Sequence, residues 1–159
     1  MHKIGFGYDI HRLEAGRRLV LGGIKISYAA GLAGHSDGDA LVHAVIDAIL
    51  GALGEGDIGT HFPDNDPRYE GAHSLGLLAT VMGLVRSRDA SIVNVDAVIV
   101  AEEPKMAPHV PAMKAALAPV LGVDEQAVGI KAKTNEGLGP VGEKRAIACY
   151  AVVLINIPD

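Results

Sequence analysis

Apolar residues recur with helical spacing in three segments of the chain. The first predicted helix begins near Ser36 or Asp37, either of which can serve as its N-cap, and ends at Gly54. The second covers about 74–88 and the third about 108–121. Each presents one apolar stripe, so each is expected to pack one face against a core.

Short or alternating apolar runs predict strands at about 4–8, 18–26, 93–101, 127–133 and 145–157. The first ends in a glycine-rich turn before Asp9, and Gly22-Gly23 marks a hairpin bend or bulge in the second. This order of elements predicts a single α+β domain over 1–159. We expect a mixed four-stranded sheet plus a small hairpin, with the helices packed on one face.

Residues 54–73 follow neither period and carry several turn signals. A loop of this length is uncommon in a compact domain unless it has a functional role. This segment is therefore the first part of the chain that indicates a functional site.

Composition narrows the class of protein. The 159 residues are 49% hydrophobic and 21% charged, enough for one folded domain. A net charge of −5 without a basic run argues against nucleic acid as a partner. Neither a targeting segment nor an apolar run long enough to span a bilayer is visible, so we expect a cytoplasmic protein. The single Cys149 lies in an apolar run and is expected in the core.

Asp9 and His11 form the strongest candidate metal site. In an extended segment, residues two apart project to the same side and can converge on one ion. His43 in the first helix is a third candidate ligand, and two histidines with a carboxylate are a common catalytic zinc set. The alternative is that His11 is a turn residue and His43 a helix-boundary histidine.

Three further clusters have both structural and functional interpretations. Ser36 and Asp37 suit helix capping, but with His35 they could also hold a phosphate. Asp57 suits a turn, but it could accept hydrogen bonds from substrate hydroxyls. Residues 131–137 combine amines, a hydroxyl and a carboxylate suited to a diphosphate and its Mg²⁺.

The order of these motifs is more specific than any one of them. GYDIH at 7–11, GHSDGDALVHAVIDAILGA at 34–52, GDIGTHFPDNDP at 56–67, EEPKMAPH at 102–109 and KTNEGLG at 133–139 follow one another along the chain. Together they closely resemble the family of 2-C-methyl-D-erythritol 2,4-cyclodiphosphate synthases, over nearly the whole sequence.

The resemblance implies a phosphorus–oxygen lyase of the non-mevalonate isoprenoid pathway. Its substrate, 4-diphosphocytidyl-2-C-methyl-D-erythritol 2-phosphate, gives the cyclic diphosphate and CMP. It implies Zn²⁺ or another divalent transition metal at Asp9, His11 and His43, and Mg²⁺ or Mn²⁺ at Glu136. His35 and Thr134 match residues that steady the transition state. The implied substrate contacts are Asp9, His11, His35, Ser36, Asp57, Ile58, Gly59, Phe62, Pro63, Asp64, Asn65, Asp66, Ala101, Lys105, Met106, Ala107, Ala132, Lys133, Thr134, Asn135 and Glu136.

The family's quaternary structure implies a homotrimer, with the sheets around a central axis and active sites between subunits. Relatives carry a Phe and an Arg at an axial cavity that can hold an isoprenoid diphosphate. Here the corresponding stretch, 138–145, contains Pro140 and Glu143. A carboxylate repels a diphosphate, so we expect no tight axial ligand of this kind, although Lys144 or Arg145 could compensate.

Two other functions fit the residues alone. One is a metal-dependent phosphoesterase that hydrolyses a nucleotide diphosphate with a metal-bound water. The other is a trimeric nucleotide- or metal-binding module without turnover. The products of the reaction distinguish the first rival from the synthase, and replacement of His43 distinguishes the second.

Overall fold

A five-stranded mixed sheet forms the centre of the computed structural model, which describes residues 1–158; only the last residue of the predicted 1–159 domain lies outside it. The strand order is β4-β1-β7-β5-β6, and only β5 and β6 are parallel. The strands are β1 (His2–Ala15), β4 (Ala30–Leu32), β5 (Ser91–Val100), β6 (Val128–Lys133) and β7 (Ala146–Asn156).

The predicted count of four strands in this sheet is wrong. The fifth strand, β4, pairs with the end of β1 over only three residues, and its middle residue is Gly31. Such a short segment has too few positions to show a period of two, so hydrophobic pattern could not reveal it.

β1 is also longer than predicted. It pairs with β7 continuously from His2 opposite Asn156 to Arg12 opposite Ala146, so the glycine-rich stretch is strand and not turn. A Cβ atom at Gly5 would lie 1.7 Å from the Ala48 carbonyl oxygen. Glycine is needed here because a helix backbone passes directly over the strand.

A separate hairpin joins β2 (Leu19–Leu21) to β3 (Ile24–Ile26), as predicted. Its turn is Gly22-Gly23, with φ values of 62° and 77°. Positive φ at both central positions matches the twist of the flanking strands, and glycine adopts it without steric cost.

Three long helices cover one face of the sheet, as predicted: α1 (Ala40–Leu53), α3 (Ser74–Ser87) and α4 (Val110–Leu121). Two single-turn helices complete the set: α2 (Ile58–His61) lies between α1 and α3 in sequence, and α5 (Gly139–Gly142) follows α4. None of the helices described is long and apolar enough to cross a membrane. The N-cap of α1 is Asp39, whose carboxylate accepts a hydrogen bond from the Val42 N–H. The predicted N-cap, Ser36 or Asp37, is therefore wrong.

Asp39 is fully buried and ties two elements together. Its carboxylate also accepts from the Gly22 and Gly23 N–H groups, at 2.9 and 2.7 Å. Burial raises the pKa of Asp39, and the three N–H donors oppose that effect by stabilising the charged form. The helix start and the β2–β3 turn are thereby fixed to each other.

The core lies between α1 and the inner face of the sheet. Odd-numbered residues of β7, including Cys149 at 0% exposure, face this core, as expected for the single cysteine. Most of the opposite face of the sheet is uncovered; at one end, Val141 packs on the buried Ala146 and Ala148 of β7. We call it the apolar sheet face, and its exposed members are Ile4, Phe6, Tyr8, Ile10, Tyr150 and Val152.

Candidate active site

Asp9, His11 and His43 converge at one point, as the sequence predicts. The Asp9 Oδ2 atom lies 2.7 Å from His11 Nε2 and 3.1 Å from His43 Nδ1. The two ring nitrogens are 3.3 Å apart. All three candidate ligand atoms lie within 4.8 Å of one another, so one divalent metal ion could be bound by all three.

The close contact of α1 and β1 produces this convergence. Asp9 and His11 are on the same side of β1 as Gly5 and Gly7, which is the side facing α1. A Cβ at Gly7 would lie 1.9 Å from the Ala44 carbonyl oxygen, one residue beyond His43. The alternative interpretation of His11 as a turn residue is wrong, because His11 lies within β1; His43 lies in the first turn of α1, where it also faces Asp9 and His11.

The other nitrogen of His11 fixes the orientation of its ring. Nδ1 lies 2.5 Å from the Ala33 carbonyl oxygen, which can only accept a hydrogen bond, so Nδ1 carries a proton. His11 Nε2 is consequently the nitrogen that faces Asp9 and His43. A backbone carbonyl is a common partner for the outer nitrogen of a metal-binding histidine.

The cluster also changes the acidity of its members. Burial opposes ionisation of Asp9, but its contacts with the His11 ring and, to a smaller extent, the His43 ring outweigh that effect and hold the pKa of Asp9 below its usual range. Burial likewise disfavours protonated His11, yet Asp9 and the Ala33 carbonyl raise its pKa. Without a metal, the cluster therefore favours a charged pair of Asp9 and His11.

A pocket of about 210 Å³ opens beside these three residues. It brings in predicted substrate residues from the segment before α1 and from the long loop: His35, Ser36, Ile58, Gly59, Phe62 and Asp64. It also includes Tyr69 and Leu77, which sequence reasoning missed. Both resemble ordinary apolar residues of a turn and of a core-facing helix, so no local signal identifies them.

The long loop is ordered around short helices. Asp57 caps α2 by accepting from the Thr60 N–H and hydroxyl, which lowers the pKa of Asp57. Asp47 of α1 accepts from the Ile58 N–H at 2.7 Å and so joins the loop to the helix beside the cluster. Asp57 itself does not line the pocket; nor do three other predicted loop residues, Pro63, Asn65 and Asp66.

A contact between Asp66 and His35 joins the long loop to the segment before α1. The Asp66 carboxylate caps a single 3₁₀ turn and pairs with Arg68, and its carbonyl oxygen lies 3.2 Å from His35 Nε2. His35 thus has one nitrogen occupied within the chain while its ring lines the pocket.

The remaining predicted site residues form a second group at the ends of β5 and β6. There the Ala101 N–H donates to the Lys133 carbonyl at 2.9 Å. The Glu102 carboxylate accepts from the Asn135 N–H at 2.7 Å and shapes the Thr134–Glu136 turn. The second group comprises Ala101, Lys105, Met106, Ala107, Ala132, Lys133, Thr134, Asn135 and Glu136.

None of the second group lines the 210 Å³ pocket of the same chain. Ile10, between the two metal-ligand candidates on β1, lies opposite Ala148 on β7. The same row of the sheet continues across β5 to Lys133 on β6. Three strand spacings amount to about 14 Å, so within one chain the metal-site residues and the second group are separated by about that distance across the sheet.

Comparison with known proteins agrees with this geometry. The sequence model of the YgbB family matches residues 2–156. The 2-C-methyl-D-erythritol 2,4-cyclodiphosphate synthase of Gloeobacter violaceus is 58% identical over 97% of this chain and 94% of its own length.

Solved structures share the fold over the whole chain. The bifunctional IspDF from Campylobacter jejuni has a TM-score of 0.95 and 38% identity, covering 100% of this chain and 43% of the larger protein. A CDP complex of IspF from Plasmodium falciparum has a TM-score of 0.87 and 38% identity, covering 99% of this chain and 97% of that one. The resemblance inferred from the motifs is confirmed. This chain belongs to the YgbB family, together with proteins named 2-C-methyl-D-erythritol 2,4-cyclodiphosphate synthase.

Proposed function

We propose that this protein converts 4-diphosphocytidyl-2-C-methyl-D-erythritol 2-phosphate into 2-C-methyl-D-erythritol 2,4-cyclodiphosphate and CMP. Relatives more than half identical over nearly the whole chain carry the name of this activity. The observation that carries the proposal is the convergence of Asp9, His11 and His43 at a pocket bounded by the long loop.

The reaction is an intramolecular phosphoryl transfer. An oxygen of the substrate's 2-phosphate forms a bond to the β-phosphorus, and the bond from that phosphorus to the bridging oxygen of CMP breaks. CMP leaves with the electron pair. Such a step needs positioning and neutralisation of charge more than it needs covalent chemistry from side chains.

The residues of the cluster suit a divalent transition metal. Asp9 would bind through Oδ2, His11 through Nε2 and His43 through Nδ1, the atoms that already face one another. A zinc ion there would polarise a phosphate oxygen and offset its negative charge. Imidazole and carboxylate ligands also accommodate neighbouring transition metals, so we propose a divalent transition metal at this site, with zinc as the first choice.

The pocket residues would bind and orient the substrate. His35 and Ser36 come before α1 and face the pocket, where they can donate to a phosphate. Asp57 and the loop around Ile58 and Gly59 would receive the erythritol hydroxyls. In the second group, Glu136 would hold Mg²⁺ or Mn²⁺ against the diphosphate, and Thr134 would steady its charge. The other residues of the second group would surround cytidine.

We further propose a homotrimer in which the apolar sheet face lies toward the central axis. Phe6 is 62% exposed and Ile4 is 72% exposed, and Tyr8 packs beside Tyr150 with ring centroids 5.0 Å apart. Contiguous exposed apolar surface of this kind is typical of an interface. Closure into a ring would also let the second group of one chain complete the pocket of its neighbour.

The axial cavity of such a trimer is proposed not to bind an isoprenoid diphosphate tightly. Glu143 adds negative charge, and the two cations that could compensate have acidic partners. Lys144 Nζ lies 2.7 Å from Glu103 and Arg145 lies 2.6 Å from Glu143. A tight, specific complex with farnesyl diphosphate would contradict this proposal.

Incubation with the cytidylated substrate and Mg²⁺, followed by ³¹P NMR, tests the proposed reaction. The synthase gives the cyclic diphosphate and CMP in equal amounts. Linear phosphates would indicate the metal-dependent phosphoesterase instead, because water rather than the 2-phosphate would have attacked.

A further inference from the structure

The outer nitrogen of His43 faces a buried hydroxyl. While Nδ1 faces Asp9, Nε2 lies 2.8 Å from the Oγ of Ser74, the first residue of α3. Ser74 is 0% exposed and His43 is 8% exposed, so water does not compete for this contact. The Ser36 hydroxyl is also within reach of Nε2, at 3.2 Å.

The direction of the Ser74 hydrogen bond follows from its other partner. The Asp37 carboxylate accepts from the Ser74 N–H at 2.9 Å and from the Ser74 hydroxyl. An ionised carboxylate has no hydrogen to donate, and a serine hydroxyl has only one. Ser74 Oγ is therefore an acceptor toward His43, so His43 Nε2 carries the proton.

We infer that Asp37 and Ser74 are positioning residues for the metal ligand His43, and that they hold its ring in the Nε2–H tautomer. The Nδ1 lone pair is then directed at the point shared with Asp9 and His11. This role rests on the metal site proposed above and adds two residues outside the expected ligand and substrate sets. It also accounts for Asp37, which the capping interpretation assigned to α1.

The arrangement makes a specific prediction for Asp37→Asn. An amide NH₂ can donate to Ser74 Oγ, which frees the Ser74 hydrogen to donate to His43 Nε2. Nε2 would then be the acceptor and Nδ1 the protonated nitrogen, which is the wrong tautomer for a ligand. Ser74→Ala acts more simply because it removes the acceptor and leaves the Asp37 carboxylate bonded to the residue 74 N–H.

The test is the Kd for Zn²⁺, measured by competition with a chromophoric chelator. Loss of a hydrogen bond of this kind to a metal-bound histidine weakens affinity about 10- to 100-fold, and we expect that loss for both variants. Ser87→Ala is the matched control because it removes another hydroxyl of α3, one bonded only to the Leu84 carbonyl. Its Kd should equal that of the wild type.

A merely structural role predicts a different result. If Asp37 and Ser74 only stabilised the start of α3, both variants would lower the Tm while the Kd for Zn²⁺ stayed within about twofold of wild type. That result would overturn the inference. Should the Asp37 variant fail to fold, the Ser74 variant decides by the same criterion.

¹⁵N NMR of the zinc-loaded wild type gives a direct second measurement. We expect His43 to show a protonated Nε2 and a metal-bound Nδ1, and the reverse assignment would refute the inference. A wild-type protein that binds no Zn²⁺ would instead remove the proposed metal site, so the two failures are distinguishable.

Discussion

Asp9 and His11 lie on β1, and His43 lies on α1. Each of these side chains is held in place by contacts with the others. His43 contacts Asp9 through one nitrogen and Ser74 through the other, within 3.1 Å on both sides. A side chain held this way is positioned before any ligand arrives, which is what a catalytic metal site requires.

Replacement of His43 by alanine should therefore abolish activity without unfolding the chain. We expect kcat/KM to fall by about 100-fold or more, since a ligand of the metal is lost. Steady-state assay of CMP release measures the loss, and circular dichroism reports the fold. His73→Ala is the matched control, since this histidine is exposed and its side chain does not cap α3. Equal activity of both variants would contradict the proposed site.

The pKa shifts of Asp9 and His11 predict the pH dependence of the metal-free protein. The raised pKa of His11 means that its contribution to stability is present below the ordinary value of 6.5 and is lost as pH rises through the folded value. The lowered pKa of Asp9 means that its contribution is present above 3.8 and is lost as pH falls through the folded value. The pair thus stabilises the metal-free chain most between these limits.

Thermal unfolding of the chelator-treated wild type over a range of pH measures this effect. The His11→Gln variant is the control, because its Tm should not decline above the ordinary histidine pKa. Added Zn²⁺ should show the opposite trend, because metal binding requires the deprotonated ring. The rise in Tm that Zn²⁺ causes should therefore grow with pH. A Zn²⁺ effect that shrinks between pH 6 and 8 would contradict the assignment of His11 as a ligand.

Among the elements, the contact between α1 and β1 has the strictest steric requirement. Gly7→Ala should destabilise the protein by about 1–3 kcal/mol or more, because its Cβ would overlap the Ala44 carbonyl. The free energy of unfolding in urea measures the loss. The same shift of α1 would displace His43, so Zn²⁺ affinity should fall with stability.

Gly51→Ala is the control for that substitution. Gly51 is exposed in the same helix, and its added Cβ would meet only the Phe6 carbonyl oxygen, at 4.0 Å. Alanine is preferred over glycine in a helix by about 1 kcal/mol, so stability should stay level or rise. Similar destabilisation by both substitutions would show that the close approach at Gly7 is unimportant.

Elements with a clear period were predictable from sequence, and elements defined by their neighbours were not. α1 and α3 each repeat apolar residues over about four turns, and the structure confirms them. The length of β1 depends on its pairing with β7, and β4 exists only as an addition to β1. Local pattern carries no information about such partners.

The candidate site was predictable to a similar extent. The Asp9 and His11 spacing identified a metal site because strand geometry alone puts both on one side. The role of Asp37 as a positioning residue could not be predicted from sequence, because its partner Ser74 is 37 residues away. The segment Ser36–Asp39 also resembles a helix cap, which already accounts for an aspartate there. Side chains that act through another residue have no spacing rule of their own.

At the scale of the whole molecule, the two groups of site residues predict complementation between subunits. His43→Ala and Glu136→Gln should each be inactive as pure proteins. Mixed by joint unfolding and refolding, they should regain about a quarter of wild-type activity, since random assembly combines an intact metal group with an intact Glu136 at about that fraction of interfaces.

No recovery in the mixture would mean that one chain supplies both groups to its own site. Light scattering of the mixed and unmixed proteins is the control, because all three samples should have the mass of a trimer. The exposed apolar sheet face makes a stable monomer of the isolated chain unexpected.

Cys149 lies opposite Asp9 in the β1–β7 register and is fully buried, and burial raises its pKa well above the ordinary value. A thiol reagent therefore cannot modify it while these two strands stay paired, because neither access nor thiolate is available. Because Cys149 is the chain's one cysteine, its modification by a thiol reagent would report the separation of β1 from β7. The rate of labelling, measured with and without Zn²⁺, would show how much a bound metal ion slows the separation of these two strands.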